Sequence, residues 1–162
     1  MSKAIIFDWG DTLMRDHPDI PGPMASWPTV ELIPGAAEAL AALDPFLICC
    51  VASNAGASDA ELMGQALDRV GIRTYFHHLY TSKELGAAKP EPRFFTEIAS
   101  RLGVTPAECV IVGNDYAKDI AGAKAVGMRT VWLKGDEAQP AEAPHADVII
   151  RSMAELPNVI RL

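Results

Sequence analysis

The sequence has few of the features that mark secreted, membrane or nucleic-acid-binding proteins. It contains three cysteines in 162 residues, and none has metal-ligand spacing, so we expect reduced core thiols and a cytoplasmic location. The longest apolar run, residues 46–52, is too short to cross a bilayer, and no basic segment followed by an apolar stretch opens the sequence. We therefore expect neither a membrane anchor nor an export signal.

An excess of basic residues is also lacking. The 14 Lys and Arg are scattered and are outnumbered by 21 Asp and Glu, which gives a net charge of -7. Such a chain repels a polyphosphate backbone, so a nucleic-acid partner is not expected. The length suits a single domain over residues 1–162, and the 49% hydrophobic content is enough for one core.

Apolar runs alternate with helical patterns along the chain. Because crossover helices connect parallel strands, this order predicts an α/β fold with helices on both faces of a mainly parallel sheet of five or six strands. A first apolar strand ends at Asp8, and unbroken apolar runs of the buried type follow. The predicted strands are 4–7, 46–52, 76–80, 109–112, 128–133 and 148–150, the predicted helices are 36–43, 58–70 (capped by Ser58), 93–102 and a segment around 119–126, and 81–88 and 136–146 are predicted loops.

Residues 14–34 contain five prolines, which exclude a regular helix or a central strand. We predict a flap over the end of the first strand. Met24 and Trp27 in this flap either form a lid or pack against the edge of the sheet.

Polar residues follow several predicted strands. In a parallel sheet the carboxyl ends of the strands lie side by side, so these residues are expected to meet in one crevice. Each cluster alone is typical of an ordinary turn or helix cap, but all four at strand ends favour a functional site. The clusters are Asp8 with Asp11 and Thr12, Ser53 with Asn54, Lys89, and Asn114 with Asp115 and Asp119.

This set suits transfer of a phosphoryl group to a carboxylate. Asp8 attacks in line, and a hard, oxygen-ligated cation such as Mg²⁺ offsets the repulsion between two anions. Its predicted ligands are the Asp8 carboxylate, the Gly10 carbonyl and a carboxylate from the loop 114–119. Lys89 neutralises charge on the nucleophile and substrate. Thr12, Ser53 and Asn54 are predicted to bind the phosphate.

The segments resemble the four motifs of the haloacid dehalogenase-like hydrolase superfamily, in order across residues 4 to about 133. They are residues 5–13 around Asp8, Val51-Ala52-Ser53-Asn54, Lys89-Pro90, and residues 112–119. The resemblance implies a Rossmann-like three-layer sandwich, Mg²⁺ dependence and a covalent aspartyl intermediate on Asp8.

The sequence departs from the family pattern in two ways. Phosphatases of that family have a second Asp, the acid-base group, where this chain has Gly10; Asp11 is one candidate to replace it, if the turn is remodelled. Only 44 residues separate Asp8 from Ser53 and 35 separate Ser53 from Lys89, so no cap domain is expected. A large substrate, a homo-oligomeric partner or the flap would then cover the site.

The fourth motif leaves the metal ligand open between Asn114 and Asp115, and we favour Asp115 because a neutral amide holds a hard dication less well. Asp119 is then expected either to bind a water molecule that is held by the metal or to orient Lys89.

The leading functional hypothesis is a Mg²⁺-dependent phosphatase acting on a small phosphorylated molecule. Two alternatives stay open: hydrolytic dehalogenation, which needs no metal, and a catalytically weak protein that binds a phosphorylated ligand or a partner.

Overall fold

A parallel sheet dominates the computed structural model, which describes residues 1–136 and 140–160. Among these residues six strands are hydrogen-bonded in the order β3-β2-β1-β4-β5-β6, and every neighbouring pair is parallel. The predicted α/β class is confirmed. The strands are β1 Ala4–Phe7, β2 Ile48–Ser53, β3 His78–Thr81, β4 Cys109–Gly113, β5 Arg129–Leu133 and β6 Val148–Ile150.

Helices connect the strands and cover both faces of the sheet. A π-helix, Tyr116–Ala121, leads directly into α5. Single 3-10 turns lie at Met24–Ser26, Arg73–Tyr75, Pro106–Glu108 and Met153–Glu155. The α-helices are α1 Ala36–Ala41, α2 Ala60–Arg69, α3 Ser82–Leu85, α4 Pro92–Leu102, α5 Gly122–Ala125 and α6 Leu156–Val159.

The buried residues form two clusters, one on each face of the sheet. In β1, Ile5 and Phe7 belong to one cluster, whereas Ala4 and Ile6 belong to the other. This alternation follows from the two-residue period of a strand. Since both faces are covered, the strands are apolar throughout, and the three-layer arrangement predicted from the sequence is confirmed.

The flap, residues 14–34, has little regular structure apart from its single 3-10 turn. Met24 and Trp27 are 4% and 6% exposed and belong to the core cluster on that face of the sheet. They therefore pack as core residues. Arg69 of α2 fastens the flap, because its Nη1 donates to the carbonyl oxygen of Trp27 at 2.6 Å.

Three local predictions are wrong. The second strand begins at Ile48 because Phe46, 91% exposed, lies in a turn made by Asp44. Asp59 caps α2 in place of Ser58 by accepting a hydrogen bond from the Leu62 N–H.

The third concerns the predicted loop 81–88, which contains the short helix α3. This helix is stabilised by a capping box in which Glu84 accepts a hydrogen bond from the Thr81 N–H at 3.0 Å.

In the predicted loop 136–146, residues 137–139 lie outside the described residues.

The three cysteines, Cys49, Cys50 and Cys109, are buried and have free thiols. Across residues 1–136 and 140–160, no helix has both the length and the apolar character needed to span a membrane.

Candidate active site

Asp8 lies directly after β1, which is flanked by β2 and β4. Its backbone N–H donates to the carbonyl oxygen of Val112 at 2.9 Å, so Asp8 extends the hydrogen bonding between β1 and β4 by one residue. Because β1 is central, the residues that follow β2 and β4 stand on either side of Asp8.

Both oxygens of the Asp8 carboxylate have partners. Lys89 Nζ lies 2.8 Å from Oδ1, and the Thr12 hydroxyl donates to Oδ2 at 3.1 Å. Thr12 is fully buried in the turn after Asp8, where the N–H groups of residues 12–14 all point to the Trp9 carbonyl oxygen. The carboxylate is thus fixed in orientation, and the Asp8 residue remains 9% exposed.

Lys89 lies between two carboxylates. Its Nζ is 2.7 Å from Asp119 Oδ1, outside the angles of a formed hydrogen bond, so this contact is a close ion pair. Burial lowers the pKa of Lys89, but the charges of Asp8 and Asp119 outweigh that effect and raise it. Burial, together with the Asp8 charge, raises the pKa of Asp119 against the opposing effect of Lys89.

Asn54 holds the main chain of Lys89. Its Oδ1 accepts from the Lys89 N–H at 2.7 Å, and its Nδ2 donates to the Lys89 carbonyl oxygen at 3.2 Å. The next residue, Ala55, donates its N–H to Ser82 Oγ at 2.7 Å. The loop after β2 is therefore tied to the segment that carries Lys89, through Ser82 in a helix that the sequence pattern did not predict.

The loop after β4 places Asp115 and Asp119 together. The Asp115 N–H donates to Asp119 Oδ2 at 3.1 Å, while Asp115 Oδ1 accepts from the Lys118 N–H and caps the π-helix. Gly113 makes this arrangement possible, since a Cβ at that position would overlap the Asp119 carboxylate.

Asn114 and Asp115 both face the site. Asn114 Oδ1 lies 3.4 Å from the Thr12 hydroxyl, and the Asn114 carbonyl oxygen accepts a hydrogen bond from Trp132 Nε1 at 2.9 Å. The choice between these two residues as a metal ligand stays open.

A pocket of about 260 Å³ joins these groups, hereafter the phosphate pocket. The predicted residues come together there except for Thr12, which lies behind Asp8. Five carboxylates and two lysines line the pocket, so an anionic substrate would be repelled without an added cation. The lining residues are Asp8, Gly10, Asp11, Asp16, Ser53, Asn54, Lys89, Asn114, Asp115, Lys118 and Asp119.

The residues of this pocket fit a hard divalent cation, because aspartates, asparagines and Gly10, whose side chains and backbone carry oxygen ligands, line the same space. Over the described residues, no three His, Cys, Asp or Glu side chains are grouped at metal-ligand spacing. The predicted set differs from such a group, since it combines the carboxylates of Asp8 and Asp115 with the Gly10 carbonyl.

Asp11 and Asp16 extend the acidic wall of the pocket. Asp11 is exposed, has a left-handed φ of 60°, and accepts a hydrogen bond from the Asp16 N–H at 3.0 Å. Asp16 is exposed as well, and partial desolvation of its carboxyl, together with the Asp11 charge, raises its pKa. Asp16 was not predicted as a site residue, because it lies in the irregular flap, where no periodicity indicates which side chains line a pocket.

A second cavity of about 440 Å³, the flap cavity, lies beside the phosphate pocket. The two spaces share Gly10, Asp16, Ser53 and Asn54 in their walls. The rest of the flap cavity is lined by Trp9, His17, Pro18, Ile20, Pro21, Gly22, Met24, Trp27, Gly56, Ala57 and Ser58.

Comparison with known proteins supports the assignment suggested by the four motifs. The profile of the haloacid dehalogenase-like hydrolases matches residues 22–127, which is more than half of the chain. The chain therefore belongs to the haloacid dehalogenase-like hydrolase family. The matched region contains Ser53, Lys89 and residues 113–119, whereas Asp8 precedes it.

Individual relatives include phosphatases. A glyceraldehyde 3-phosphate phosphatase from Methanopyrus kandleri is 41% identical over 60% of this chain and 43% of its own length. A phosphoserine phosphatase from Thermus thermophilus is 34% identical over 56% of this chain and 36% of its own. The chain thus spans less than half the length of these relatives.

A solved structure matches almost the whole fold. An uncharacterized protein from Listeria monocytogenes serotype 4b has a TM-score of 0.83 and 29% identity, covering 97% of this chain and 96% of its own.

Proposed function

We propose that this protein is a Mg²⁺-dependent phosphatase that hydrolyses monoesters of small phosphorylated molecules through a phosphoryl group carried on Asp8. The observation that supports this most strongly is the position of the Asp8 carboxylate. It is oriented by Lys89 on one oxygen and Thr12 on the other, in the wall of an oxygen-lined pocket. The phosphatase relatives support the same reaction class, and their different substrates leave the particular ester unassigned.

Asp8 acts as the nucleophile in this proposal. One carboxylate oxygen attacks phosphorus, the bond to the leaving oxygen breaks, and water later releases phosphate from the acyl phosphate. Lys89 offsets charge on both Asp8 and the incoming phosphate. Asp119 orients Lys89, which is the second of the two roles considered for it, since its carboxylate already contacts Lys89 and the Asp115 N–H.

The metal would be held by the Asp8 and Asp115 carboxylates, the Gly10 carbonyl and, as the alternative, Asn114. When bound, Mg²⁺ supplies positive charge that reduces the repulsion between the substrate and the acidic wall. Ser53 and the backbone N–H groups around it would bind a further phosphate oxygen. Asn54 contributes by holding the Lys89 main chain in place.

Phosphate release from a panel of aryl and alkyl phosphates, with Mg²⁺ and with a chelator, tests the proposal. We expect release only with Mg²⁺, and its loss in Asp8→Asn, because an amide does not form the acyl phosphate. Asp19→Asn is the matched control, since Asp19 is an exposed acid of the flap that lines neither pocket.

Phosphate release by Asp8→Asn at the wild-type rate would contradict the proposal. Halide release from a haloacid that is unaffected by chelator would favour dehalogenation, and binding of a phosphate analogue without any turnover would favour a binding protein.

A further inference from the structure

We propose that Asp16 is the acid-base residue of the hydrolysis and that the flap cavity beside it holds the organic group of the ester. This inference rests on the proposed phosphatase function and deepens it. It assigns a residue that the sequence motifs do not include, and it gives the second cavity a role.

The position of the leaving oxygen follows from the shape of the substrate. In a phosphate monoester this oxygen joins phosphorus to the organic group. If phosphorus lies beside Asp8 in the phosphate pocket, the organic group extends into the adjoining space, which is the flap cavity. The leaving oxygen then lies at the junction of the two spaces.

Four residues lie at this junction. Gly10, Asp16, Ser53 and Asn54 line both spaces, and of these four only Asp16 has a side chain able to exchange a proton at ordinary pH. Two other acids of the phosphate pocket are already engaged in other contacts. Asp119 pairs with Lys89, and Asp115 caps the π-helix.

Gly10 leaves room for the Asp16 side chain. A Cβ built on Gly10 would lie 3.3 Å from Asp16 Cβ and 3.5 Å from Asp16 Oδ2. The exposed Asp16 side chain therefore lies directly beside the place that a side chain at position 10, two residues after the nucleophile, would occupy. Asp11 instead accepts the hydrogen bond from the Asp16 N–H, so it positions the Asp16 main chain.

The size and lining of the flap cavity indicate its occupant. Its volume of about 440 Å³ is in the range of small-molecule sites. Trp9, Ile20, Met24 and Trp27 give it apolar walls. A compact organic group with an apolar face fits this space better than a long charged one.

The chemistry balances in two steps. As Asp8 forms its bond to phosphorus, the bond to the leaving oxygen breaks, and that oxygen takes the proton of the Asp16 carboxyl to give the free alcohol. Asp16, now a carboxylate, takes a proton from water while the water oxygen attacks phosphorus. The bond to Asp8 breaks with its electron pair returning to Asp8, which frees phosphate and restores protonated Asp16.

The test compares phenyl phosphate with p-nitrophenyl phosphate in the Asp16→Asn variant. Phenolate is the more basic leaving group and needs a proton, whereas p-nitrophenolate leaves without one. We expect kcat/KM for phenyl phosphate to fall by roughly 10²- to 10⁴-fold, and for p-nitrophenyl phosphate by less than roughly tenfold. With the latter ester, a burst of one equivalent of nitrophenolate precedes slow turnover, because the water attack has lost its base.

Asp19→Asn is the control and keeps wild-type values with both esters. A combined Gly10→Asp and Asp16→Ala variant moves the carboxyl to the neighbouring position, and we expect it to hydrolyse phenyl phosphate at least roughly tenfold faster than Asp16→Ala alone. Ala57→Trp narrows the flap cavity and raises KM for phenyl phosphate by roughly tenfold or more, without changing KM for methyl phosphate.

Equal losses with both esters and no burst in Asp16→Asn would overturn the acid-base role, as would a selective loss that occurs in Asp11→Asn and not in Asp16→Asn. An Ala57→Trp variant with unchanged KM for phenyl phosphate would overturn the assignment of the cavity. A wild-type protein that hydrolyses no phosphate ester would instead overturn the proposed function, and the two assignments with it.

Discussion

Lys89 is the residue on which the electrostatics of the site depend. It is almost fully buried between Asp8 and Asp119, with its nitrogen within 2.8 Å of an oxygen of each. A buried cation in this position stabilises two carboxylates that would otherwise repel one another. The same three groups therefore contribute both to stability and to the proposed chemistry. Variants at these positions have to be measured for unfolding and for activity separately.

Lys89→Met should lower the free energy of unfolding by about 3–5 kcal/mol, because it leaves two buried carboxylates without their cation. Activity should be lost as well. Chemical denaturation and phosphate release measure the two effects. Lys83→Met, at an exposed lysine of α3, is the control and should change stability by less than about 0.5 kcal/mol.

Adding Asp119→Asn to Lys89→Met removes one of the two carboxylate charges that Lys89 offsets and keeps an oxygen to accept the Asp115 N–H, so it should recover part of the lost stability while activity stays absent. Recovery of activity in the double variant would show that Lys89 serves the fold alone.

The sequence predicted the convergence of Asp8, Ser53, Lys89 and Asp115 because strand ends in a parallel sheet meet at one edge. Asp16 was missed, since its place depends on how a proline-rich loop folds back over Gly10. The contacts of Asn54 with the Lys89 main chain could not be predicted either, because they join residues 35 positions apart through a side-chain amide.

The position of Asp16 between the phosphate pocket and the flap cavity depends on the conformation of the flap. Arg69 fastens it from α2 by donating to the carbonyl oxygens of Trp27 and Ala25 at 2.6 and 3.2 Å. These hydrogen bonds compensate for the lack of regular structure in residues 14–34.

Arg69→Met should lower the free energy of unfolding by about 1–2 kcal/mol and make residues 14–34 more sensitive to limited proteolysis. Arg73→Met is the control, because its partner Asp68 is exposed and such pairs contribute little. Equal proteolysis of the two variants within the flap would show that Arg69 does not hold it.

The element boundaries show where sequence patterns were insufficient. The four-residue helix α3 is too short to show a helical period, and only its capping box, Thr81 with Glu84, carried a signal. Ser58 and Asp59 are both good capping residues, and the choice between them depends on the backbone path. Phe46 belongs to an apolar run but is left exposed by the turn at Asp44.

At the scale of the whole molecule, apolar strands and helical crossovers sufficed to predict the α/β class and the parallel sheet. Covering both faces of that sheet also buries the cysteines. Burial raises the pKa of Cys49 to about 12 and that of Cys109 to about 11, so these thiols are protonated at neutral pH.

We therefore expect no reaction of the native protein with a thiol reagent at neutral pH over minutes, and reaction of three thiols per chain in denaturant. Spectrophotometric thiol titration measures both. Rapid labelling of the native protein would contradict the tight packing of these strands.

The central claim is that Asp8 carries the phosphoryl group. Borohydride reduces an acyl phosphate to an alcohol, so trapping during turnover of an aryl phosphate with Mg²⁺ should convert Asp8 to homoserine. Mass spectrometry of the peptide containing residue 8 measures this change. We predict homoserine at position 8 only when substrate is present; steady phosphate release with Asp8 unmodified would contradict the account.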